Sequence, residues 1–325
     1  MNKSIKILFN RFLGPLIFLI LSWSLYKQLV NQPDLGNRWE QIKQGLSTPG
    51  FVCVCLLMLL NWGLEARKWQ LLIAPLEKLS FANSFKSVLA GCSITMLTPN
   101  RVGEYGGRIL YVKEEHRLDA IPLTILGSIS QLFVTLVMGT AGLLFLKFSG
   151  AGEKLFVILP SYTADIFLAI SISGAVFLML VYLRVSLLVN LLTRIPVLKK
   201  FTAHIILLNA FSRKQLLRIL FLSFLRYMVF ILQYVLLLEV MQVEISFFTC
   251  LMLLTVFYLV MAMAPTIGFT ELPLRVAAGL GILQLYSNNS VGIQAASLGI
   301  WIINLAVPAI TGSLLILGLK IMKEK

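Results

Sequence analysis

Two apolar stretches of this chain are interrupted by the same short motif, TPNRVGEYGGR at residues 98–108 and APTIGFTELPLR at residues 264–275. Each copy runs from a proline through a glycine to a glutamate, with an arginine four positions after the glutamate. Proline and glycine break helices, and backbone freed inside a bilayer must be buried in protein or line a water-filled cavity. Pro99 and Pro265 are separated by about half of the 325-residue chain. Interrupted segments at matching places in two halves predict a transporter site between inverted repeats.

The composition of the chain places these motifs in a membrane. Hydrophobic residues make up 58% of the sequence and charged residues 13%, with a mean hydropathy of +0.88. Soluble domains have about 45–50% hydrophobic residues and about 25% charged residues. A soluble fold of this size has too little interior to bury so much apolar surface, and a disordered chain needs low hydrophobicity. Composition therefore excludes a soluble enzyme and predicts an all-α, polytopic integral membrane protein.

Apolar runs set the predicted spans, because a spanning helix needs about 20 mostly apolar residues. The candidates are residues 12–30, 120–146, 164–183, 215–238 and 291–318, with shorter ones at 51–66 and 247–263. Residues 83–97 and 274–286 are apolar but too short to cross, which is typical of re-entrant or buried segments. We therefore predict a single transmembrane domain of two half-repeats, about residues 10–150 and 160–320, each with one broken helix.

Basic residues are concentrated in alternate loops. The chain has 28 Lys and Arg against 14 Asp and Glu, and most of the basic residues fall in residues 1–11, 67–117, 184–218 and 320–325. The positive-inside rule places these loops and both termini in the cytoplasm, so we expect a multi-pass protein of the cell inner (cytoplasmic) membrane. Basic residues spread between apolar runs do not form the single exposed face typical of nucleic-acid binding, and no nucleic-acid partner is expected.

Charged residues inside the apolar segments form the candidate site. Glu104 with Arg108, and Glu271 with Arg275, are i,i+4 pairs in the order that favours an ion pair on a helix. Charges within membrane segments are costly and usually functional; the alternative is that each pair only closes its break. The candidate substrate-binding residues are Arg101, Glu104, Arg108, Arg226, Gln233, Glu271 and Arg275, and the candidate structural residues of the breaks are Pro99, Gly103, Pro265 and Gly268.

Local signals refine the prediction for the breaks and their surroundings. Gly106 and Gly107 disfavour a regular helix in the first copy, whereas Thr270 is predicted to cap a helix in the second copy. Glu65 is interpreted as an interfacial residue whose side chain reaches toward water. Neither histidine has metal-ligand spacing, and the sequence contains no phosphate-binding loop or nucleophilic triad. We therefore expect no catalytic residue, no metal, no cofactor and no enzymatic activity.

Three blocks of the sequence resemble one membrane-protein family. Residues 98–104 (TPNRVGE), 223–234 (SFLRYMVFILQY) and 268–275 (GFTELPLR) are similar to the signature of the lysylphosphatidylglycerol synthase transmembrane-region family. The similarity extends over about residues 10–320, although Asn100 stands where the family usually has glycine. In two-domain members, the membrane region is thought to move aminoacylated phosphatidylglycerol between leaflets, and a soluble C-terminal domain makes that lipid. The resemblance therefore implies a stand-alone, flippase-like member without the synthase domain.

The leading hypothesis is a phospholipid flippase or lipid transporter for a charged-headgroup lipid, either aminoacylated phosphatidylglycerol or a related envelope lipid. Guanidinium groups pair well with phosphate, so Arg108 and Arg275 are expected to contact the headgroup. Two alternatives stay open: a secondary transporter of a small anion, and a non-catalytic membrane partner of an envelope glycosyltransferase or lipid-modifying enzyme. The expected partners are membrane phospholipids, with a lipid-modifying enzyme and a second copy of the chain as further candidates.

Overall fold

The structure is a computed structural model that describes residues 23, 35–96, 98, 102–158, 161–184, 189–190, 194–195, 202–264 and 268–317. No strand occurs among these residues, and helices account for most of them. The predicted all-α class is confirmed. The predicted span at residues 12–30 lies outside the described residues apart from Trp23, as do Pro99, Arg101 and Pro265 of the two motifs.

Helices dominate the part of the chain that the structure describes. In chain order its α-helices are α1 (Leu35–Leu46), α2 (Pro49–Ile73), α3 (Phe81–Met96), α4 (Gly103–Ile109), α5 (Arg117–Phe148), α6 (Glu153–Ile158), α7 (Ser161–Leu183), α8 (Thr202–Ile206), α9 (Arg213–Val240), α10 (Phe247–Met263), α11 (Gly268–Leu283), α12 (Ser290–Trp301) and α13 (Val307–Leu317). A π-helical turn, Ile302–Ala306, joins α12 to α13, so that these form one continuous helix.

Within the described residues, five helices are long and apolar enough to cross a membrane: Pro49–Ile73, Glu114–Phe148, Tyr162–Leu183, Arg213–Val240 and Ser290–Leu317. Four of them agree closely with predicted spans. The fifth, α2, was predicted to end at residue 66 because Arg67 and Lys68 follow the apolar run, but the helix continues to Ile73 and buries Lys68. The polytopic architecture is therefore confirmed.

Both motifs interrupt helices that are too short to span. At 1.5 Å per residue, the 16 residues of α3 and the 17 of α10 extend about 25 Å, less than the roughly 30 Å hydrocarbon core. Helix α3 ends at Met96 and α4 begins at Gly103, whose N–H donates to the Thr98 hydroxyl at 2.7 Å. In the second copy, α10 ends at Met263 and α11 begins at Gly268.

Two local predictions about these breaks were wrong. Gly106 and Gly107 lie within a helix, α4, because it packs so closely on α3 that a Cβ on Gly107 would overlap the Ala90 carbonyl. In the second copy the helix begins at Gly268, so Thr270 lies inside it instead of capping it. The helix that contains the predicted apolar stretch 274–286 begins earlier, at Gly268, and it includes Glu271 in its first turn.

Each broken helix packs against the long span of the other half of the chain. Helix α3 contacts α13, where the Ser93 hydroxyl donates to the Ala309 carbonyl at 2.5 Å. Helix α10 contacts α5, where Gly142 lies against Thr255. A Cβ on Gly142 would overlap the Thr255 hydroxyl, and one on Gly312 of α13 would overlap the Leu89 carbonyl of α3. Glycine therefore permits the close approach at both helix pairs.

The central pair of helices, α2 and α9, is antiparallel. Gly50 near the start of α2 lies against Val240 at the end of α9, whereas Lys68 farther along α2 reaches Ser223 near the middle of α9. The two halves of the chain thus meet along these helices, and the exchanged packing of α3 and α10 lies around them. A cavity is left between the central pair and helices α4, α5, α10, α11 and α12.

Candidate functional site

The cavity has a volume of about 580 Å³ and brings the two sequence motifs together. Its charged lining residues are Glu65, Lys68, Glu104, Arg226, Glu271 and Arg275. Aromatic and amide side chains complete the polar part of the wall: Trp62, Tyr105, Gln131, Tyr227, Tyr258, Trp301 and Asn304. Of the predicted substrate-binding residues, Glu104, Arg226, Glu271 and Arg275 line the cavity, whereas Arg108 and Gln233 lie outside its lining.

Glu65 on α2 is the centre of the first charge cluster. Its carboxylate lies 2.8 Å from Lys68 Nζ, 2.6 Å from Arg108 Nη2 and 2.9 Å from Arg226 Nη1. Only 2% of the residue is exposed, so the interpretation of Glu65 as an interfacial residue was wrong. The carboxylate joins three elements, α2, α4 and α9, through one buried group.

Arg108 is held behind the cavity wall by two carboxylates. Its Nη2 pairs with Glu65 and with Glu104, one helical turn earlier on α4. The guanidinium also lies 5.3 Å from the centroid of the buried Trp69 ring. The residue is 2% exposed, and a buried guanidinium with two carboxylate partners and an aromatic face is a strong structural tie.

Arg226 connects the charge cluster to a chain of amides. Its Nε donates to Asn61 Oδ1 at 2.8 Å, and its guanidinium lies 5.2 Å from the Trp62 ring centroid. Asn61 in turn donates to Asn304 on the π-helical turn at 3.4 Å, and Asn304 donates to Gln233 at 2.8 Å. Gln233 therefore supports Asn304, which lines the cavity, instead of lining it itself. π-Helical turns often occur at functional sites.

The second motif provides a simpler arrangement around Arg275. Its Nη2 lies 3.0 Å from Glu271, one turn earlier on α11. The guanidinium carbon lies 5.8 Å from the Phe257 ring centroid and 5.9 Å from that of Tyr258. The residue is 8% exposed, and its Nε and Nη1 have no hydrogen-bond partner among the described residues.

The charges around the cavity do not cancel. The basic residues are Lys68, Arg108, Arg226 and Arg275, and the acidic residues are Glu65, Glu104 and Glu271. The six charged lining residues cancel, three positive against three negative, and Arg108 behind the wall adds one positive charge in excess. Because charges interact strongly in a medium of low dielectric, this excess favours an anion in the cavity.

Sequence reasoning missed several members of the site. Glu65 and Lys68 are three residues apart, and their pairing inside an apolar helix was the available signal. Trp62 and Asn304 had no comparable signal, since aromatic and amide side chains also serve in ordinary helix packing. No cluster of His, Cys, Asp or Glu suited to a metal ion occurs in the part of the chain that the structure describes.

Comparison with known proteins agrees with the motifs. The family profile described as "Lysylphosphatidylglycerol synthase TM region" matches residues 11–312. No curated protein and no solved structure matches the chain. The match covers both motifs, the whole cavity lining and the described spanning helices apart from the end of the last one, Ser290–Leu317. The chain therefore belongs to the lysylphosphatidylglycerol synthase transmembrane-region family, as a multi-pass membrane protein.

Proposed function

We propose that the protein is a phospholipid transporter that moves a lipid with a charged headgroup between leaflets through the cavity. The observation that carries this proposal is the lining of one cavity by charged residues of both motifs, Glu104, Glu271 and Arg275 among them. A headgroup that enters hydrocarbon loses its hydration, which is prohibitive for an ionic group. Charged and polar side chains within the helix bundle replace that hydration, and the excess positive charge suits a phosphate.

The surroundings of the cavity support a lipid over a soluble ion. Leu132 of α5 and Met263 of α10 both line the cavity, and each is 39% exposed. The wall between these helices therefore presents apolar side chains at the outside of the bundle. A lipid needs such an opening because its acyl chains stay in the hydrocarbon while its headgroup enters the cavity. A soluble anion gains nothing from it.

The packing of the helices supports an inverted-repeat mechanism. The two halves compared are helices α2 to α5 and helices α9 to α13. Helices α2 and α9 are antiparallel, and each broken helix packs on a long helix of the other half, α3 on α13 and α10 on α5. A two-fold axis in the membrane plane would relate such halves, and transporters of this design expose a midplane site alternately to the two sides. The cytoplasmic location of both termini and the inner membrane as the site of action remain predictions from the basic loops.

The family assignment also bears on chemistry. The matched region corresponds to the membrane part of the family and not to a synthase. We infer that the protein acts without catalysis, and that any aminoacylated lipid it carries is made by a separate lipid-modifying enzyme.

Transport can be measured in liposomes that carry the purified protein and fluorescently labelled phosphatidylglycerol in both leaflets. A membrane-impermeant reductant bleaches the outer label, and transport is expected to bring the inner label within its reach. The measurement is made with and without proton and sodium gradients, so that a coupled transporter is also detected. Arg226→Ala combined with Arg275→Ala should slow bleaching strongly, whereas Lys43→Ala, at an exposed position, should not.

Two results would overturn the proposal. Bleaching no faster than in protein-free liposomes under every gradient would exclude lipid transport by this chain alone. Uptake of a small anion such as phosphate, without movement of labelled lipid, would favour the secondary-transporter alternative.

A further inference from the structure

We propose that the second half of the chain supplies the binding site for a phosphodiester monoanion, with Arg275, Tyr227 and Trp301 as donors, and that Arg108 of the first motif is a positioning residue. This inference rests on the proposed function and assigns different roles to two arginines that the sequence makes equivalent. The argument depends on which donors are free, where they lie and how much charge the site can accept.

Free donors occur around Arg275. Its Nε and Nη1, the Tyr227 hydroxyl and the Trp301 Nε1 are all buried without a hydrogen-bond partner among the described residues. All three residues line the same cavity. A buried donor without a partner costs about 1–3 kcal/mol, and more when it is charged. Several such donors around one cavity are most simply explained by a ligand that accepts hydrogen bonds.

The donors are joined by an aromatic wall. The Tyr258 ring lies 6.2 Å from the Tyr227 ring and 5.9 Å from the Arg275 guanidinium carbon. Phe230 and Phe257 pack edge-on against Tyr258 at 5.4 and 5.1 Å. This wall excludes water from one side of the guanidinium, and an ionic hydrogen bond made there is stronger than one made in water.

Arg108 cannot take the same role. It does not line the cavity, and its Nη2 is shared between two carboxylates, Glu65 and Glu104. Arg275 pairs with Glu271. Glu65 thus ties Arg108 to Arg226, whereas Arg275 keeps two donors that pair with no described residue.

The charge of the cavity as a whole selects the class of ligand. Arg275 and Glu271 cancel, but the Glu65 cluster at the same cavity carries one positive charge in excess, and a group with a single negative charge neutralises it. A phosphodiester has this charge at neutral pH, and it is present in glycerophospholipids of every headgroup, whereas a phosphomonoester carries about 1.5 to 2 negative charges. The site should therefore recognise the phosphodiester itself and leave headgroup identity to other contacts.

Binding can be tested by calorimetric titration of the detergent-purified, full-length protein with dioctanoyl phosphatidylglycerol. Dioctanoylglycerol, which lacks the phosphodiester, and inorganic phosphate serve as comparison ligands. We expect the phospholipid to bind at least tenfold more tightly than either. Arg275→Gln should weaken binding at least tenfold, the loss expected for a charged hydrogen bond, and Tyr227→Phe should weaken it severalfold. Lys43→Gln, at an exposed position, is the control.

The matched pair Arg275→Lys and Arg108→Lys separates binding from positioning. Both keep the charge and lose the guanidinium geometry. Arg275→Lys should mainly weaken lipid binding, with little change in thermal stability. Arg108→Lys should mainly lower thermal stability, with little change in lipid binding. If Arg275→Gln does not fold, the binding affinities of Arg275→Lys and Tyr227→Phe test the assignment in its place. Unchanged affinity in both of these, or equal binding of dioctanoylglycerol or inorganic phosphate, overturns the assignment. Binding without lipid transport would instead refute the proposed function and leave this site intact.

Discussion

Removal of the Glu65 carboxylate tests the account of the charge cluster most directly. Glu65→Gln keeps the size of the side chain but removes the charge that faces Lys68, Arg108 and Arg226. With Glu104 as the remaining carboxylate, the formal charge of this buried cluster rises from +1 to +2. Breaking a single buried pair costs about 3–5 kcal/mol because a charge is left without a partner. We expect the free energy of unfolding to fall by at least about 3 kcal/mol.

The assay is reversible unfolding in mixed micelles, followed by fluorescence as the fraction of denaturing detergent is raised. Glu40→Gln is the matched control, because Glu40 also lies three residues from a lysine, Lys43, at 2.8 Å, but with side chains 61% and 55% exposed. An exposed pair of this kind contributes about 0.5 kcal/mol or less. A similar small loss for Glu65→Gln would refute the buried-cluster account.

A double variant separates charge from other effects at the same position. Glu65→Gln with Lys68→Met returns the formal charge of the cluster to +1 and replaces the lysine with an apolar side chain of similar length. The double variant should be more stable than Glu65→Gln alone, because one buried cation without a partner has been removed. If the double variant is less stable, the loss does not come from uncompensated charge.

Two further predictions concern helix packing and the amide chain, and both use the same unfolding assay. Gly312→Ala and Gly142→Ala should each lower stability by about 1–3 kcal/mol, because the added Cβ overlaps a neighbouring helix. Gly281→Ala is the control: a Cβ there has nothing within 4 Å, so the substitution should raise stability by up to about 1 kcal/mol. Equal effects at the three positions would contradict the packing argument. Asn304→Leu should lower stability by about 1–3 kcal/mol, because the Gln233 side-chain oxygen loses its donor in a buried site. Combining it with Gln233→Leu should restore part of the loss. No recovery would show that the Asn304–Gln233 hydrogen bond is not responsible.

The spans and the motif residues could be predicted from the sequence because they depend on local composition. Residues 247–263 were predicted with the bounds that the structure has for α10, since Ser246 precedes the apolar run and Pro265 follows it. Lys68 was different: it follows an apolar run and reads as a loop cation. Only the fold shows that Ser223 and the Gly127 carbonyl lie within 3.5 Å of its amine. Contacts between distant segments are not encoded in local composition.

The pairing of motif residues was only partly predictable for the same reason. The i,i+4 spacing predicted the ion pairs Glu104 with Arg108 and Glu271 with Arg275, and both are present. The spacing is identical in the two copies, so it could not reveal that one arginine has a second carboxylate and lies behind the cavity wall, whereas the other lines the cavity. That difference arises from Glu65, which lies on another helix.

The exchanged packing of α3 sets an order of events during synthesis. Ser93 finds its acceptor on Ala309, 216 residues later in the chain. At about 5–20 residues per second, the ribosome needs roughly 10 to 40 s to make that partner. During this interval Ser93 lacks its acceptor from the second half. The contacts of α3 with α2 and α4 come from the first half, so they can form before the last span is released.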